Sequence, residues 1–216
     1  MSVFLFEPNE ISDQKQQTLL YNQLIEALLV DSDDGESYDS AVPFGNIILD
    51  MDGTLGDAIP AYLPENPERY ISIKPIPRPG LRKFLRFVFA HYERVSIWTA
   101  ALPSWYNKFK DDVLTPNMPE GAKFHFERTR DPGVRYVGLK PLSEIYTKYT
   151  EYTAENTTII DDNPLTFSAN VENAVHVPQF FYDLLGGTPE VRKDLAVKDR
   201  GLFDLIEVLR ARITQK

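Results

Sequence analysis

The sequence predicts an α/β fold, a doubly wound, mainly parallel central sheet with helices on both faces. Short apolar runs suited to buried strands, at Ile47–Leu49, Val95–Trp98 and Thr157–Ile160, alternate with segments whose apolar residues recur at helical spacing. Each run also ends in polar residues, and ligands of such sheets collect beyond the carboxyl ends of the strands. We therefore expect right-handed crossovers between parallel strands and a functional site at one edge of the sheet.

Length and composition are typical of one globular domain with an appendage. The chain has 216 residues, of which 43% are hydrophobic and 25% charged. No apolar run approaches the roughly 20 residues of a membrane span, and no basic flank precedes an apolar N-terminal segment. We therefore expect an intracellular protein, cytoplasmic or nuclear, that is neither secreted nor membrane-bound. The absence of cysteine excludes thiolate nucleophiles and zinc–thiolate sites.

Charge is distributed unevenly along the chain. Residues 1–67 carry 1 basic and 13 acidic side chains, residues 68–148 carry 15 and 8, and residues 149–216 carry 7 and 11. A basic middle third within a chain of net charge −9 indicates an anionic ligand that is held locally. Direct binding of nucleic acid is disfavoured, because the basic residues are spread out and the whole chain would repel a polyanion.

Residues 1–43 are predicted to form an N-terminal extension of the domain, which spans residues 44–213. Leucines recur at helical spacing within Gln14–Val30, which predicts an amphipathic helix, and the acidic stretch Asp31–Ser40 predicts a flexible linker. The helix either packs back on the domain or contacts a partner, which includes a second copy of the chain. Packing back is the simpler interpretation.

The remaining elements follow in chain order. Five prolines between Gly56 and Pro77 exclude a regular helix and predict a loop or small excursion, with one strand near Tyr70–Lys74. Too few residues separate the first two strands for a large cap domain. Further elements are expected as helices at Leu81–His91, Pro103–Val113, Leu142–Tyr149 and Phe203–Ile213, and as strands at Lys123–Glu127 and Ala174–Val177.

Polar residues follow three of the predicted strands. Asp50 and Asp52 follow the first predicted strand, and Thr99 follows the second. Asp161 and Asp162 follow the third predicted strand, and Lys140 lies on the connection that precedes this strand. Each alone is typical of an ordinary turn or a solvated charge. Together the acids offer the hard oxygen ligands that Mg²⁺ prefers, and a hydroxyl and an ammonium suit the oxygens of a phosphate. No glycine-rich nucleotide loop is present.

The order and spacing of these motifs resemble the haloacid dehalogenase superfamily of phosphotransferases. More narrowly, the chain resembles the small phosphatases of the RNA polymerase II C-terminal domain, also called the NLI-interacting-factor-like family. The resemblance covers roughly residues 44–211. The stretches that carry it are ILDMDGTL at Ile48–Leu55, PRPGLRKFL at Pro77–Leu85, IWTAALPSWY at Ile97–Tyr106, VGLKPLSEI at Val137–Ile145 and IIDDNPLTFSANVENAVHVPQFF at Ile159–Phe181.

The resemblance implies a Mg²⁺-dependent phosphatase that forms an aspartyl-phosphate. Asp50 would be the nucleophile and Asp52 the general acid and base, with Thr99 and Lys140 holding the transferring phosphoryl oxygens. The metal would be held by Asp50, Asp161 and the main-chain carbonyl of Asp52. Asp162 would orient metal-bound water or Lys140.

The implied substrate is phosphoserine or phosphothreonine in a peptide or protein, such as the polymerase tail. Two features depart from the family pattern: Gly53 stands where the small polymerase phosphatases usually have glutamate, and the Gly56–Pro77 segment is not clearly alike. Four arginines are candidate contacts for the rest of an anionic substrate: Arg78, Arg128, Arg130 and Arg135. For the last three, which share one loop, a solvated loop is as good an explanation.

Two other functions compete with this hypothesis. A small-molecule phosphomonoesterase would use the same catalytic residues, but the expected lack of a cap favours a macromolecular substrate. A catalytically inactive phosphopeptide-binding module would share the fold. The intact site residues argue against it: Asp50, Asp52, Thr99, Lys140 and Asp161.

Overall fold

The structure is a computed structural model that describes residues 19, 21–29, 43–63, 66–133, 138–186 and 188–214. The predicted linker Asp31–Ser40 and Arg135 lie outside the described residues, as does part of the predicted helix Gln14–Val30. The strands are β1 Asn46–Leu49, β2 Gly56–Leu63, β3 Asn66–Pro77, β4 Arg94–Trp98, β5 Glu127–Arg128, β6 Thr157–Asp161 and β7 Ala174–His176. The helices are α1 (residues 21–29), α2 Leu81–His91, α3 Pro103–Phe109, α4 Thr115–Asn117, α5 Leu142–Lys148, α6 Pro189–Ala196 and α7 Gly201–Thr214.

Five strands form a parallel sheet in the order β5-β4-β1-β6-β7. Successive β1 residues face opposite sides of it. Ile47 and Leu49 pack in one apolar cluster with side chains of α2 and α7, whereas Ile48 packs in another with side chains of α5. Because helices cover both faces, β1 is buried throughout. The predicted doubly wound α/β fold is confirmed.

The proline-rich segment is an antiparallel hairpin of β2 and β3. The predicted strand near Tyr70–Lys74 lies within β3, but the rest of the described segment is paired strand and not a loop. Pro60 pairs with Ile73, and Pro77 pairs with Gly56. In a two-stranded ribbon both strands are edges, so a proline is tolerated wherever the missing N–H would point away from the partner strand. The prolines excluded a helix but did not exclude this strand pair.

Two further elements have other boundaries than predicted, and one helix was not predicted. The predicted strand Lys123–Glu127 is replaced by β5 at Glu127–Arg128, although Phe126 O still accepts a bond from Ile97 N at 3.0 Å. The predicted helix Pro103–Val113 ends as α3 at Phe109 and continues as a π-helical turn, Lys110–Leu114. Helix α6 was not predicted because its valine and leucine side chains are exposed and form no buried stripe.

Helix α1 packs back on the domain. Leu24 and Leu28 are buried beside Ile76 and Phe180, and the Tyr21 hydroxyl donates to Pro75 O at 3.0 Å. The boundary between an extension and a domain near residue 43 stays a prediction. Among the residues that the structure describes, no helix is both long enough and apolar enough to cross a membrane.

Truncating the buried side of α1 tests this packing. Leu24→Ala is expected to lower the free energy of unfolding by about 2–4 kcal/mol, because it leaves a cavity in an apolar cluster. Leu19→Ala is the matched control and should change it by less than about 0.5 kcal/mol, because Leu19 is 56% exposed. Denaturant unfolding of both variants measures the difference, and equal small losses would contradict the packing of α1.

Candidate active site

The order of the strands creates a crevice at the carboxyl ends of β1 and β6. From β1 the chain moves outward through β4 to β5, then returns to the other side of β1 to form β6 and β7. Ligands of open α/β sheets bind at such a reversal of strand order. Asp50 follows β1, Asp161 ends β6 and Thr99 follows β4, so the topology places the predicted site residues at this point.

Lys140 bridges two carboxylates from neighbouring strands. Its Nζ lies 2.5 Å from Asp50 Oδ1 and 2.6 Å from Asp161 Oδ2. All three side chains are buried. A buried ion pair forms only if its members satisfy one another, because removing each charge from water costs several kcal/mol. The predicted grouping of these residues is therefore present in the fold.

The turn that carries Lys140 is held by a residue that the sequence did not indicate. Asn170 Nδ2 donates to Lys140 O at 2.9 Å, and its Oδ1 accepts from Leu142 N at 2.9 Å. Lys140 N also donates to Thr166 O at 2.6 Å. These bonds fix the backbone on both sides of the lysine, which aims its ammonium into the crevice.

Burial has the largest effect on the pKa of both Asp50 and Lys140. Burial raises the pKa of Asp50 to about 7. The positive charge of Lys140 lowers this pKa, whereas the negative charges of Asp161 and Asp162 raise it. Burial alone would lower the pKa of Lys140, but Asp50 and Asp161 raise it above its ordinary value. Lys140 therefore stays charged, and further positive charge beside Asp50 would favour its ionised form.

Asp162 completes a cluster of three acids. Oxygens of Asp50, Asp161 and Asp162 lie within 4.8 Å of one another. The Thr54 hydroxyl lies 3.3 Å from Asp50 Oδ2 and 3.2 Å from Asp162 Oδ1, and Gln179 Nε2 donates to Asp162 Oδ2 at 2.7 Å. This buried all-oxygen donor set fits a hard divalent cation such as Mg²⁺. The main-chain carbonyl of Asp52 stays a predicted ligand.

Gly53 allows the close approach of this acid. Its φ is +78°, and a Cβ at this position would lie 2.7 Å from Asp162 Oδ2. A side chain here would be strained by the backbone angle and would also displace the carboxylate. The departure from the glutamate of the small polymerase phosphatases therefore has a local physical reason in this chain.

Asp52 lies apart from the acid cluster. Its carboxylate is half-buried, and Oδ1 accepts a hydrogen bond from Trp105 Nε1 at 2.8 Å. Burial raises the pKa of Asp52, and the Trp105 hydrogen bond and the charge of Lys140 lower it in part. The two acids of the DMDGT motif thus have different neighbours. The sequence did not indicate Trp105, because a tryptophan in an apolar helix is usually only a packing residue.

Thr99 is buried at the end of β4, and its Oγ1 accepts a hydrogen bond from Ala101 N at 3.0 Å. A hydroxyl that accepts in this way still has its own proton to donate. Thr99 can therefore offer one donor to an anion in the crevice.

The predicted contact between Arg78 and substrate is corrected by its position. Arg78 is 0% exposed. Its guanidinium donates to both oxygens of Asp199, at 2.6 and 3.0 Å, and lies 3.4 and 3.3 Å from the main-chain oxygens of Gly53 and Thr54. Arg78 therefore ties the loop after Asp52 to the segment before α7, which leaves it no surface for a substrate.

Two other arginines lie on β5 and just after it. Arg128 pairs with Glu144 and lies over the Trp98 ring at 4.4 Å, while Arg130 N donates to Ala101 O at 2.9 Å beside the Thr99 turn. Both side chains are only partly buried. Their contact with a substrate stays a prediction.

Comparison with known proteins identifies the family. The sequence profile of the NLI interacting factor-like phosphatases matches residues 46–215. The chain belongs to this family. Membership confirms the family resemblance seen in the sequence, and the predicted enzyme class, a phosphatase of the haloacid dehalogenase type, is that of the family.

Similar curated proteins carry the name ubiquitin-like domain-containing CTD phosphatase 1. The protein of Pongo abelii is 27% identical over 140 residues and that of Danio rerio 30% over 142, in each case 62% of this chain and 41% of the relative. The chain thus spans well under half the length of these relatives. The structure of Fcp1, an RNA polymerase II CTD phosphatase, matches with a TM-score of 0.50 and 18% identity over 78% of this chain and 50% of that chain, which supports the fold.

Removing the buried guanidinium tests the corrected role of Arg78. Arg78→Ala is expected to lower the free energy of unfolding by about 3–5 kcal/mol, because Asp199 loses its partner and a large buried side chain is deleted. Arg82→Ala is the control at an exposed arginine of α2 and should cost less than about 0.5 kcal/mol. Denaturant unfolding distinguishes them. If both variants lost similarly small amounts of unfolding free energy, the structural role of Arg78 would be contradicted.

The raised pKa of Asp50 predicts the pH dependence of stability without a divalent cation. The folded protein holds this proton more tightly than the unfolded chain, whose carboxyl has a pKa near the ordinary 3.8. The stabilising contribution is therefore fully present below about pH 4 and is lost as the pH rises through about 7.

Unfolding in chelator from about pH 5 to about pH 7 measures this loss. The free energy of unfolding of the wild type should fall relative to that of Asp50→Asn by up to about 1.4 kcal/mol per pH unit. The difference between the two proteins cancels the titration of groups that do not interact with Asp50. Parallel curves would show that Asp50 does not titrate in this range.

Proposed function

We propose that this chain is a Mg²⁺-dependent phosphatase that hydrolyses phosphoserine or phosphothreonine in a peptide or protein. The observation that carries the proposal is the unequal setting of the first two acids. Asp50 lies in a buried cluster with Lys140, Asp161 and Asp162, whereas Asp52 is held separately by Trp105. A nucleophile needs neighbouring positive charge and a general acid needs a proton, so different surroundings suit the two roles.

The reaction consists of two displacements at phosphorus. An oxygen of Asp50 attacks, the bond from phosphorus to the substrate oxygen breaks, and Asp52 gives its proton to that leaving oxygen. Water then attacks the aspartyl-phosphate, Asp52 takes a proton from it, and the bond between phosphorus and Asp50 breaks to release inorganic phosphate. Each protonation state is restored at the end of the cycle.

Lys140 and Thr99 would hold the phosphoryl oxygens. The Lys140 ammonium has three donors, two of which point at Asp50 and Asp161. Its charge beside the nucleophile offsets part of the repulsion between a carboxylate and a phosphate dianion. Mg²⁺ would be held by Asp50 and Asp161, with Asp162 and the main-chain carbonyl of Asp52 as further candidates, and would supply the remaining neutralising charge.

The substrate class is supported by the names of the relatives and by the open site. The curated relatives are CTD phosphatases, which favours a phosphorylated protein and makes a polymerase-tail-like phosphopeptide the first candidate. Among the described residues, only the β2–β3 hairpin is inserted between the DMDGT motif and α2, and a small-molecule phosphatase would need more cover to exclude water. The intracellular location and a homodimer through α1 stay predictions.

Turnover of a matched panel of substrates tests the proposal. The wild type should hydrolyse phosphoserine and phosphothreonine peptides in Mg²⁺, and removal of the metal by chelator should abolish turnover. Asp50→Asn should lose at least about 10³-fold in kcat, because the covalent route is closed while the fold is kept. Phosphate release is the measurement.

The alternatives give different results in the same assay. Hydrolysis of sugar phosphates without hydrolysis of phosphopeptides would replace this proposal by a metabolite phosphatase. Phosphopeptide binding without turnover above that of Asp50→Asn would replace it by an inactive binding module.

A further inference from the structure

Trp105 is the described side chain that donates a hydrogen bond to the Asp52 carboxylate, with Nε1 2.8 Å from Oδ1. We propose that Trp105 is a positioning residue that determines which oxygen of Asp52 gives its proton to the leaving group. The inference rests on the proposed function, in which Asp52 is the general acid.

The chemistry of the indole indicates which oxygen of Asp52 carries the proton. An indole N–H donates and has no lone pair with which to accept. The carbonyl oxygen of a protonated carboxyl is a better acceptor than its hydroxyl oxygen, so the bond to Oδ1 favours a proton on Oδ2. The bond also fixes the rotation of the carboxyl group, so that the acidic proton has one position and direction. Without it the proton can occupy either oxygen, and the group can turn.

The indole is itself fixed by the fold. Trp105 lies in the first turn of α3, which begins at Pro103, four residues after Thr99. Its ring meets the fully buried ring of Phe109 edge-on, with centroids 6.2 Å apart and planes at 67°. One short segment therefore positions Thr99, a proposed phosphate contact, and the donor to Asp52.

This role makes a prediction about leaving groups. When the bond from phosphorus to a serine oxygen breaks, the electron pair stays on an alkoxide that is strongly basic and needs the proton of Asp52. A dinitrophenolate is a weak base and leaves without it. Loss of the Trp105 donor should therefore slow the release of serine and leave the release of dinitrophenolate nearly unchanged.

Trp105→Phe removes the donor and keeps a ring for Phe109. We expect kcat/KM to fall about tenfold or more for a phosphoserine peptide and less than about threefold for 2,4-dinitrophenyl phosphate, in Mg²⁺. We use kcat/KM because it includes the first displacement, in which the leaving group departs. The ratio of the two values is independent of the fraction of folded enzyme, so a loss of stability cannot imitate the result.

A double-mutant cycle separates an effect through Asp52 from any other. In Asp52→Asn, which has no proton to place, adding Trp105→Phe should change kcat/KM for dinitrophenyl phosphate by less than about twofold. Equal losses for both substrates, or a further loss in the Asp52→Asn background, would overturn the role of Trp105 and leave the proposed function standing. Absence of turnover by the wild type would overturn both.

Discussion

The contact of the Lys140 ammonium with Asp50 and Asp161 is the interaction on which the site depends. Both carboxylates lie at strand ends in the interior, where neither is stable as an isolated anion. Lys140 stabilises both carboxylates there by pairing with them. It also joins β1 to β6, the two strands between which the strand order reverses. Asn170 and Thr166 are needed in turn because they hold the turn that carries the lysine.

A second buried charge, that of Arg78, holds the loop between β1 and β2 at Gly53 and Thr54. Arg78 lies beneath the backbone of Gly53 and Thr54, and its partner Asp199 comes from the segment before α7. Gly201 leaves room for it, since a Cβ there would lie 2.0 Å from the guanidinium. Residues far apart in the sequence thus converge on the loop between β1 and β2, which carries Asp50 and Asp52.

The sequence predicted those parts of the molecule that depend on local pattern. Buried strands and amphipathic helices have periodicities that are visible without neighbours, so β1, α2 and the positions of Asp50, Thr99 and Asp161 at strand ends were predictable. The β2–β3 hairpin was not, because whether a proline fits a strand depends on which side of it is paired. Family resemblance supplied the roles of the acids. The structure supplied the neighbours that distinguish them, Trp105 for Asp52 and Thr54 with Gln179 for Asp162, since such contacts depend on tertiary placement.

The separation of the two DMDGT acids has an evolutionary consequence. In the proposed function, recognition of a phosphate depends on Lys140, Thr99 and the acid cluster, whereas proton transfer depends on Asp52 and the first turn of α3. One changed side chain in that turn would therefore slow the release of serine or threonine while the pocket for phosphate is kept. Descendants of such a change would hold phosphorylated partners for longer before releasing them as products, which is a first step from an enzyme towards an adaptor.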